Sequence, residues 1–276
     1  MKQKIQSKKN RKFSNKNKTQ QKKQLQKYIL IFVLLIFTVG FFVGFATGKK
    51  SEEDIPAVSS VSSESVIPSL ENSISEKKAL DLTQLPWYLT LVNFEHPLEK
   101  DFKPEELAEA DNGYVADSRI ADAAKKMIAD ARVTENVRII ALSGYRDYNY
   151  QQELFDNKVR RLQKEKGCSI DEAEKEAATV VAVPGTSEHQ LGLALDLVDA
   201  RHVKLNESQE NTAAYQWLYK HCHEYGFIVR YPNGKTDITG IIYEPWHFRY
   251  VGIEAATYIM ENNLTLEEYL FDHYEP

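Results

Sequence analysis

An uncharged apolar stretch near the amino terminus constrains this chain more than any other feature. Residues 28–47 read YILIFVLLIFTVGFFVGFAT, twenty positions without a charged side chain. A helix of about twenty apolar residues can cross the hydrocarbon core of a bilayer, which is about 30 Å thick. We therefore expect residues 28–48 to form a transmembrane anchor. A cleaved signal peptide is the alternative, although its apolar region is usually only about 7–15 residues long.

Charges are distributed very unevenly on the two sides of this stretch. Residues 1–27 contain eleven lysines and arginines and no acidic residue. Because cations favour the cytoplasmic side of a membrane span, we expect this basic tail in the cytoplasm and everything after residue 48 outside the cell. The chain has a formal net charge of −5, so removing these eleven cations leaves −16 on the remainder. A body this acidic argues against a nucleic-acid partner, which requires a basic surface.

The segment that follows the apolar stretch has the composition of a flexible linker. Residues 49–79 are rich in serine and glutamate, with two prolines and no aromatic residue. Such a segment cannot bury enough apolar surface to offset the entropy that it loses on ordering. We expect a disordered tether that lets the rest of the chain reach away from the membrane.

Residues 80–276 have the pattern of a globular domain, in which helical periodicity alternates with short apolar runs. The predicted helices are residues 118–132, residues 148–166, a helix opened by the capping box Ser169–Glu172, and residues 212–225. The predicted strands are residues 137–142, 191–198, 227–231, 241–243 and 248–251. Since strands and helices mix without a regular β-α-β order, we predict an α+β fold with a small, mostly antiparallel sheet and flanking helices.

A histidine and an aspartate stand close together at the start of one predicted strand. Residues 184–196 read PGTSEHQLGLALD, and the strand alternation places Asp196 on the face opposite its leucine neighbours. An aspartate in apolar surroundings is costly unless it is paired or bound to a metal. Gly192 can turn the chain so that His189 faces Asp196, which makes the two residues candidate metal ligands. The alternative is a buried aspartate that caps a loop, with His189 hydrogen-bonded beside it.

A second candidate cluster lies in residues 243–250, which read YEPWHFRY. Pro245 favours an extended conformation at Glu244, so this is not the helical HExxH pattern of metalloproteases. His247 could still be a third metal ligand and Glu244 the base for a bound water, with Trp246 as part of an apolar wall. An ordinary aromatic-rich core strand is the alternative.

The third segment, residues 143–146, reads SGYR and places Arg146 between a predicted strand and a predicted helix. An arginine at such a position can bind a carboxylate or an oxyanion. A simple ion pair with a neighbouring acid at the start of the helix is the alternative.

Together the three segments resemble the VanY-type D-Ala-D-Ala carboxypeptidases, a family that includes L,D-carboxypeptidases. The family pattern is SGYR, then SxHxxGxAxD, then EPWH, and all three motifs occur here in that order. The resemblance implies a fold like that of hedgehog domains and D-Ala-D-Ala peptidases. It also implies a zinc ion and a set of roles: ligands His189, Asp196 and His247, catalytic residues Glu244 and Arg146, and substrate contacts Ser187, Gln152 and Trp246.

The function implied by this resemblance is release of C-terminal D-alanine from the stem peptides of peptidoglycan, outside the cell and next to the membrane. The sequence leaves open whether the cleaved bond is D-Ala-D-Ala or L-Lys-D-Ala. The alternative is a non-catalytic cell-wall-binding or signalling module of the same fold. Glu244 favours the enzyme, because a binding module has no reason to retain the base.

Overall fold

Residues 80–275 are described by the structure, which is a computed structural model. The predicted basic tail (residues 1–27), anchor (residues 28–48) and linker (residues 49–79) all lie outside the described residues. Within residues 80–275, no helix has both the length and the apolar composition needed to cross a membrane.

Two antiparallel sheets form the β part of the described chain. A hairpin of β1 (Leu107–Asp111) and β2 (Tyr114–Asp117) makes the smaller sheet. The larger sheet has the strand order β3-β4-β6-β5, with every neighbouring pair antiparallel. Its strands are β3 (Ile139–Ser143), β4 (Ala194–Asp199), β5 (Phe227–Val229) and β6 (His247–Tyr250). The predicted α+β class with a small antiparallel sheet is confirmed.

Helices flank the sheets, and most of them are short. The α-helices are α1 (Ser118–Glu135), α2 (Tyr148–Lys166), α3 (Ile170–Ala177), α4 (Glu188–Leu191), α5 (Ala213–His221), α6 (Thr236–Thr239), α7 (Ile253–Glu261) and α8 (Leu266–Glu268). Turns of 3-10 helix occur at Leu82–Gln84, Trp87–Leu89, Glu207–Asn211 and Cys222–Tyr225, and a π-helical turn at Tyr269–His273.

The predicted helix starts are well marked by their caps. The Asp117 carboxylate accepts a hydrogen bond from the backbone N–H of Arg119 and opens α1, and the capping box of Ser169 and Glu172 opens α3. Such caps satisfy backbone N–H groups that have no partner inside the helix. Helix α1 ends at Glu135 and is capped by Asn136, which adopts a left-handed conformation with φ of 55°.

The main core lies on one face of the larger sheet. Leucines 193, 195 and 197 of the β4 region are buried there with Phe248 and with the apolar stripe of α1. A second cluster joins the other end of the sheet to α7 and α8, through residues such as Ile228, Val251 and Ile259. Since strand side chains alternate, the polar residues of β4 and β6 must point to the opposite face.

Two sequence predictions about strands were wrong. Residues 241–243 do not form a strand, because their backbone groups bond within loops: Ile241 N–H and C=O both contact the hydroxyl of Thr239, and Ile242 N–H bonds to Thr179 O. The predicted strand 191–198 begins only at Ala194. The residues before it form α4 and a turn at Gly192, where φ is 77°.

The β1–β2 hairpin was not predicted, although its turn has a recognisable signal. Asn112 and Gly113 both have positive φ, 51° and 80°, as a type I′ turn requires. An Asn-Gly pair between two short apolar runs is among the strongest local signs of a hairpin.

Gly144, at the end of β3, offers a test of this packing. A Cβ atom at this position would lie 2.3 Å from the carbonyl oxygen of Val115. That oxygen already accepts a 2.7 Å hydrogen bond from Tyr145 N–H, so it cannot move away freely. We expect Gly144→Ala to cost about 3 kcal/mol, the upper end for an overpacked site, and to lower Tm by about 6–12 °C.

The matched control is Gly113→Ala in the hairpin turn. No atom lies within 4 Å of a Cβ built there, so only the left-handed backbone at φ +80° is penalised, by about 1 kcal/mol. Thermal unfolding of both variants, followed by circular dichroism, gives the comparison. Equal Tm values for the two variants would contradict the steric argument.

Candidate metal centre and catalytic cleft

The strand register brings the proposed metal ligands together. Asp196 on β4 is the Cα partner of His247 on the neighbouring strand β6. His189 belongs to α4, and the turn at Gly192 folds this helix back over the start of β4. A side chain at Gly192 would lie 2.7 Å from Pro104 Cγ, so only glycine fits this turn without rearrangement. Helix α4 and strands β4 and β6 thus contribute one candidate ligand each.

The three side chains are spaced as ligands of one metal ion. His189 Nε2 lies 3.3 Å and His247 Nδ1 lies 3.4 Å from the same oxygen, Asp196 Oδ1. One ligand atom from each residue lies within 4.8 Å of the others, and all three residues are buried. Around zinc, metal–ligand distances of about 2.0–2.1 Å place tetrahedral ligand atoms about 3.3 Å apart.

The hydrogen bonding of these atoms also fits a metal. His189 Nε2 and Asp196 Oδ1 are buried without a hydrogen-bond partner in the described part of the chain. Buried polar atoms are costly unless they are paired or bind a cation. Among residues 80–275, no other group of three histidine, cysteine or acidic side chains is close enough to hold a metal. The donor set of two imidazoles and one carboxylate suits zinc.

A hydrogen bond fixes the orientation of His189, and carboxylates flank the ring of His247. His189 Nδ1 donates to the carbonyl oxygen of Gly144 at 2.7 Å, which leaves the lone pair of Nε2 for a metal. The His247 ring has the opposite orientation, with Nδ1 towards Asp196 and Nε2 3.5 Å from Glu188 Oε2. The two histidines therefore present different nitrogen atoms to the same point.

The charges of the cluster are strongly coupled. Burial opposes ionisation of Asp196, but the two imidazoles and Arg146 outweigh it and hold its pKa well below the ordinary value. Burial lowers the pKa of His189 to about 4, so this ring is neutral. Burial also lowers the pKa of His247, but Asp196 and Glu188 outweigh it and raise the value to about 9. Without a metal, the cluster thus holds a proton at His247 that a cation can replace.

Glu244 lies beside this cluster, as the sequence predicted for a base. Its Oε2 atom is 3.7 Å from His247 Nδ1, and the residue is only 7% exposed. Its backbone N–H bonds to Tyr231 O, which fixes the segment before Pro245. Burial and the neighbouring Asp196 raise the pKa of Glu244 to about 8, although His247 and Arg146 oppose the shift. A carboxylate with such a pKa can take up a proton near neutral pH.

Arg146 lines the same cleft from the end of β3. Its Nη1 donates to Gln151 Oε1 at 2.9 Å, and its Nη2 lies 3.7 Å from Asp196 Oδ2. Its Nε–H is buried without a hydrogen-bond partner among the described residues. The backbone N–H of Arg146 also bonds to His189 O at 3.1 Å, which couples its position to a ligand-bearing helix.

The cleft has a volume of about 490 Å³ and is large enough for part of a peptide. The predicted residues that line it include Arg146, Ser187, Glu244, Trp246 and the three candidate ligands. Trp246 and Ser187 are both largely buried, at 8% and 3% exposure. The structure therefore brings seven of the eight predicted site residues to one cavity.

Gln152 is the exception. Its side-chain amide donates to Asp156 on the same helix, and it does not line the cleft. The preceding residue, Gln151, lines the cleft instead, accepts from Arg146 and donates to Ala182 O. Successive residues on a helix point about 100° apart, so Gln151 lines the cleft where Gln152 does not, and a contact of Gln152 with substrate stays a prediction.

Glu188, which was not predicted from the sequence, is completely buried beside the candidate ligands. It forms ion pairs with Arg230 and Arg249 and faces His247. An acidic residue in the first turn of a short helix is usually an exposed helix-stabilising charge. The sequence gives one indication that Glu188 belongs to the site: it lies between Ser187 and His189, which are both predicted site residues.

Comparisons with known proteins point to one family. The family model described as VanY, D-alanyl-D-alanine carboxypeptidase, matches residues 114–253, about half of the chain. A D-alanyl-D-alanine carboxypeptidase of Enterococcus faecalis is 45% identical over 201 residues, which cover 72% of this chain and 71% of that protein.

Solved structures agree with this match. VanYB in complex with D-Alanine-D-Alanine is 44% identical with a TM-score of 0.61, covering 68% of this chain and 100% of that one. A mutant of the D,D-pentapeptidase VanY in complex with Zn(II) is also 44% identical, with a TM-score of 0.60, and the match covers 67% of this chain and 99% of that one. The LdcB LD-carboxypeptidase is 39% identical with a TM-score of 0.58, covering 67% of this chain and 87% of that one.

The segment matched by the family model contains the whole cluster, from Arg146 to His247. The three motifs on which the resemblance first rested are therefore part of the matched region and converge on one cleft. Likeness at these identities and over this length extends beyond the fold to the family. This chain belongs to the VanY family of D-alanyl-D-alanine carboxypeptidases and is itself a carboxypeptidase.

Proposed function

We propose that this protein is a zinc-dependent carboxypeptidase that releases the C-terminal D-alanine from D-Ala-D-Ala stem peptides of peptidoglycan. One observation carries the proposal: His189, Asp196 and His247 converge on a single point, and the buried acid Glu244 lies 3.7 Å from one of them. A non-catalytic module would not need an acid at this position. The related VanY structure in complex with Zn(II) supports the choice of metal.

Three protein ligands leave a position for water, as a catalytic zinc site requires. When bound, zinc supplies a Lewis acid and lowers the pKa of water to about 7. The protein orients the ligands in advance, through the Gly144 carbonyl oxygen on His189 and the β4–β6 register between Asp196 and His247. The buried setting keeps bulk water from competing for the ligands.

Glu244 moves the proton in this proposal. Its carboxylate takes a proton from water as the water oxygen adds to the carbonyl carbon of the scissile amide. It then returns that proton to the amide nitrogen, so that the C–N bond breaks and D-alanine leaves with a neutral amine. Arg146 stabilises negative charge on the carbonyl oxygen or binds the C-terminal carboxylate, using donors such as its unpartnered Nε–H.

The substrate assignment rests on the cleft and on the relatives. The structure of VanYB in complex with D-Alanine-D-Alanine has higher identity to this chain than the structure of LdcB LD-carboxypeptidase, 44% against 39%. The outer cleft is lined by Lys158 and Arg161, which suits a peptide that carries further carboxylates. The likeness to LdcB makes L-Lys-D-Ala cleavage the second candidate.

We expect the zinc-loaded full-length protein in detergent to release D-alanine from a stem pentapeptide ending in D-Ala-D-Ala. Mass spectrometry of the products, with a tetrapeptide tested in parallel, measures the specificity. His189→Ala should lose both the metal and the activity, because it removes one of three ligands. Release from the tetrapeptide alone would replace the D,D assignment with L,D. If neither peptide is cleaved by zinc-loaded wild type, the proposed enzyme is wrong.

Glu244→Gln tests the proton transfer separately from the metal. The amide has nearly the same size but cannot accept a proton, so we expect a fall in kcat of about 10²–10⁴-fold with zinc content and peptide affinity retained. Zinc analysis, peptide binding and D-alanine release are measured side by side for wild type and variant. Near-normal turnover by the zinc-loaded variant would remove Glu244 from the mechanism.

We also propose that residues 28–48 anchor the protein in the cell membrane and that the carboxypeptidase unit acts on the outer side. The uncharged stretch and the preceding eleven cations support this topology. Protease added to intact spheroplasts that express the full chain should digest the carboxypeptidase unit and spare the basic tail. Antibodies against each part detect the outcome, and a protected carboxypeptidase unit would contradict the proposed topology.

A further inference from the structure

We infer that Glu188 is a positioning residue for His247, held in place by two arginines that also bind segments near the start and the end of the described sequence. Its carboxylate keeps the His247 proton on Nε2, so that Nδ1 is free to bind the metal. This inference rests on the proposed function only in placing a metal between His189, Asp196 and His247.

The two oxygens of Glu188 have separate partners. Oε1 accepts from Arg230 Nε at 2.8 Å and from Arg249 Nη1 at 2.6 Å. Oε2 and His247 Nε2 are both buried without a hydrogen-bond partner among the described residues, and they face each other at 3.5 Å. Glu188, Arg230 and Arg249 are all completely buried, so water cannot replace any of these contacts. Oε2 is thus left for the imidazole alone.

This arrangement selects one form of the imidazole. With the proton on Nε2, Glu188 accepts it and the Nδ1 lone pair faces Asp196 and the metal position. With the proton on Nδ1, the Nε2 lone pair would face a buried carboxylate and Nδ1 could not bind a cation. Carboxylates that contact the second nitrogen of a ligating histidine commonly fix its orientation in this way. The ring also has neighbours on both sides, since its centroid is 4.8 Å from those of Tyr231 and His189.

The arginines connect Glu188 to distant segments of the chain. Arg249 Nη2 donates to the backbone oxygens of Tyr88 and Thr90, at 3.0 and 2.8 Å. Arg230 donates to both oxygens of Glu267 in α8, at 2.9 and 2.7 Å. Two arginines and two glutamates balance in charge, which a buried ionic group requires. Through these two arginines, the Tyr88–Thr90 segment and α8 are both hydrogen-bonded to the network that holds Glu188.

A network with a purely structural role would contain the same contacts, so the test must separate stability from metal binding. Glu188→Asp keeps the charge but shortens the side chain by one methylene, which draws Oε2 away from His247. Glu267→Asp makes the same change in the same network, at a carboxylate that does not contact His247. Both substitutions should lower the Tm of the metal-free protein, because both lengthen contacts to Arg230.

The readouts are zinc affinity, measured by competition with a chelator, and the protonation of His247, measured by long-range ¹H–¹⁵N NMR of the zinc-loaded protein. We expect Glu188→Asp to weaken zinc binding by about 10–100-fold and to broaden or remove the Nε2–H signal. Glu267→Asp should change both far less. Equal losses of zinc affinity in the two variants, or wild-type affinity in Glu188→Asp, would overturn the inference.

Zinc-loaded wild type provides a measurement that does not depend on how a variant folds. Its His247 must carry the proton on Nε2, and a proton on Nδ1 would overturn the inference directly. If wild type binds no zinc, the proposed function fails instead. Neither result depends on which peptide is the substrate, so the two failures remain distinguishable.

Discussion

The site depends on a carboxylate that is buried in an interior strand of the larger sheet. Asp196 is paired by the strand register with Ser143 on β3 and with His247 on β6, so neighbouring chain surrounds it on both sides. Desolvating a charge at such a position is costly unless cations or strong donors face it. Arg146 and a protonated His247 face Asp196 here, while its Oδ1 atom and His189 Nε2 have no hydrogen-bond partner among the described residues. A metal ion bound between Asp196 and the two histidines would complete this compensation.

The alternation of side chains along β4 places core residues on one face of the strand and a site residue on the other. Leu195 and Leu197 point into the apolar core and hold the strand by burial, while Asp196 between them points to the cleft. On β6, Phe248 joins the core while His247 and Arg249 point the other way. A shift of one residue in either strand would bury charge in the core and expose leucine in the cleft. The core therefore fixes the register, and the register fixes the site.

The sequence was sufficient for contacts that follow from chain-local rules. Strand alternation and the turn at Gly192 made Asp196 and His189 candidate ligands, and Pro245 placed Glu244 outside a helix, but the family resemblance was needed to choose these interpretations over their alternatives. It was insufficient where the answer depends on partners far along the chain. Glu188 has the local character of a surface acid, and only the distant Arg230 and Arg249 reveal why it is buried. Residues 241–243 have strand composition, but the fold offers them loop partners and no strand.

The long-range connections of Arg249 have a consequence for how the protein is made. This residue contacts Tyr88 and Thr90, which precede it by 161 and 159 positions, and also Glu188, which precedes it by 61. Contacts of such separation form late, because closing a large loop must precede them. During synthesis, a chain that has not yet reached Glu244 lacks both the proposed base and the candidate metal ligand His247. The growing polypeptide consequently passes through most of its elongation without a complete active site, and peptide cleavage can begin only after the late strands have emerged and folded.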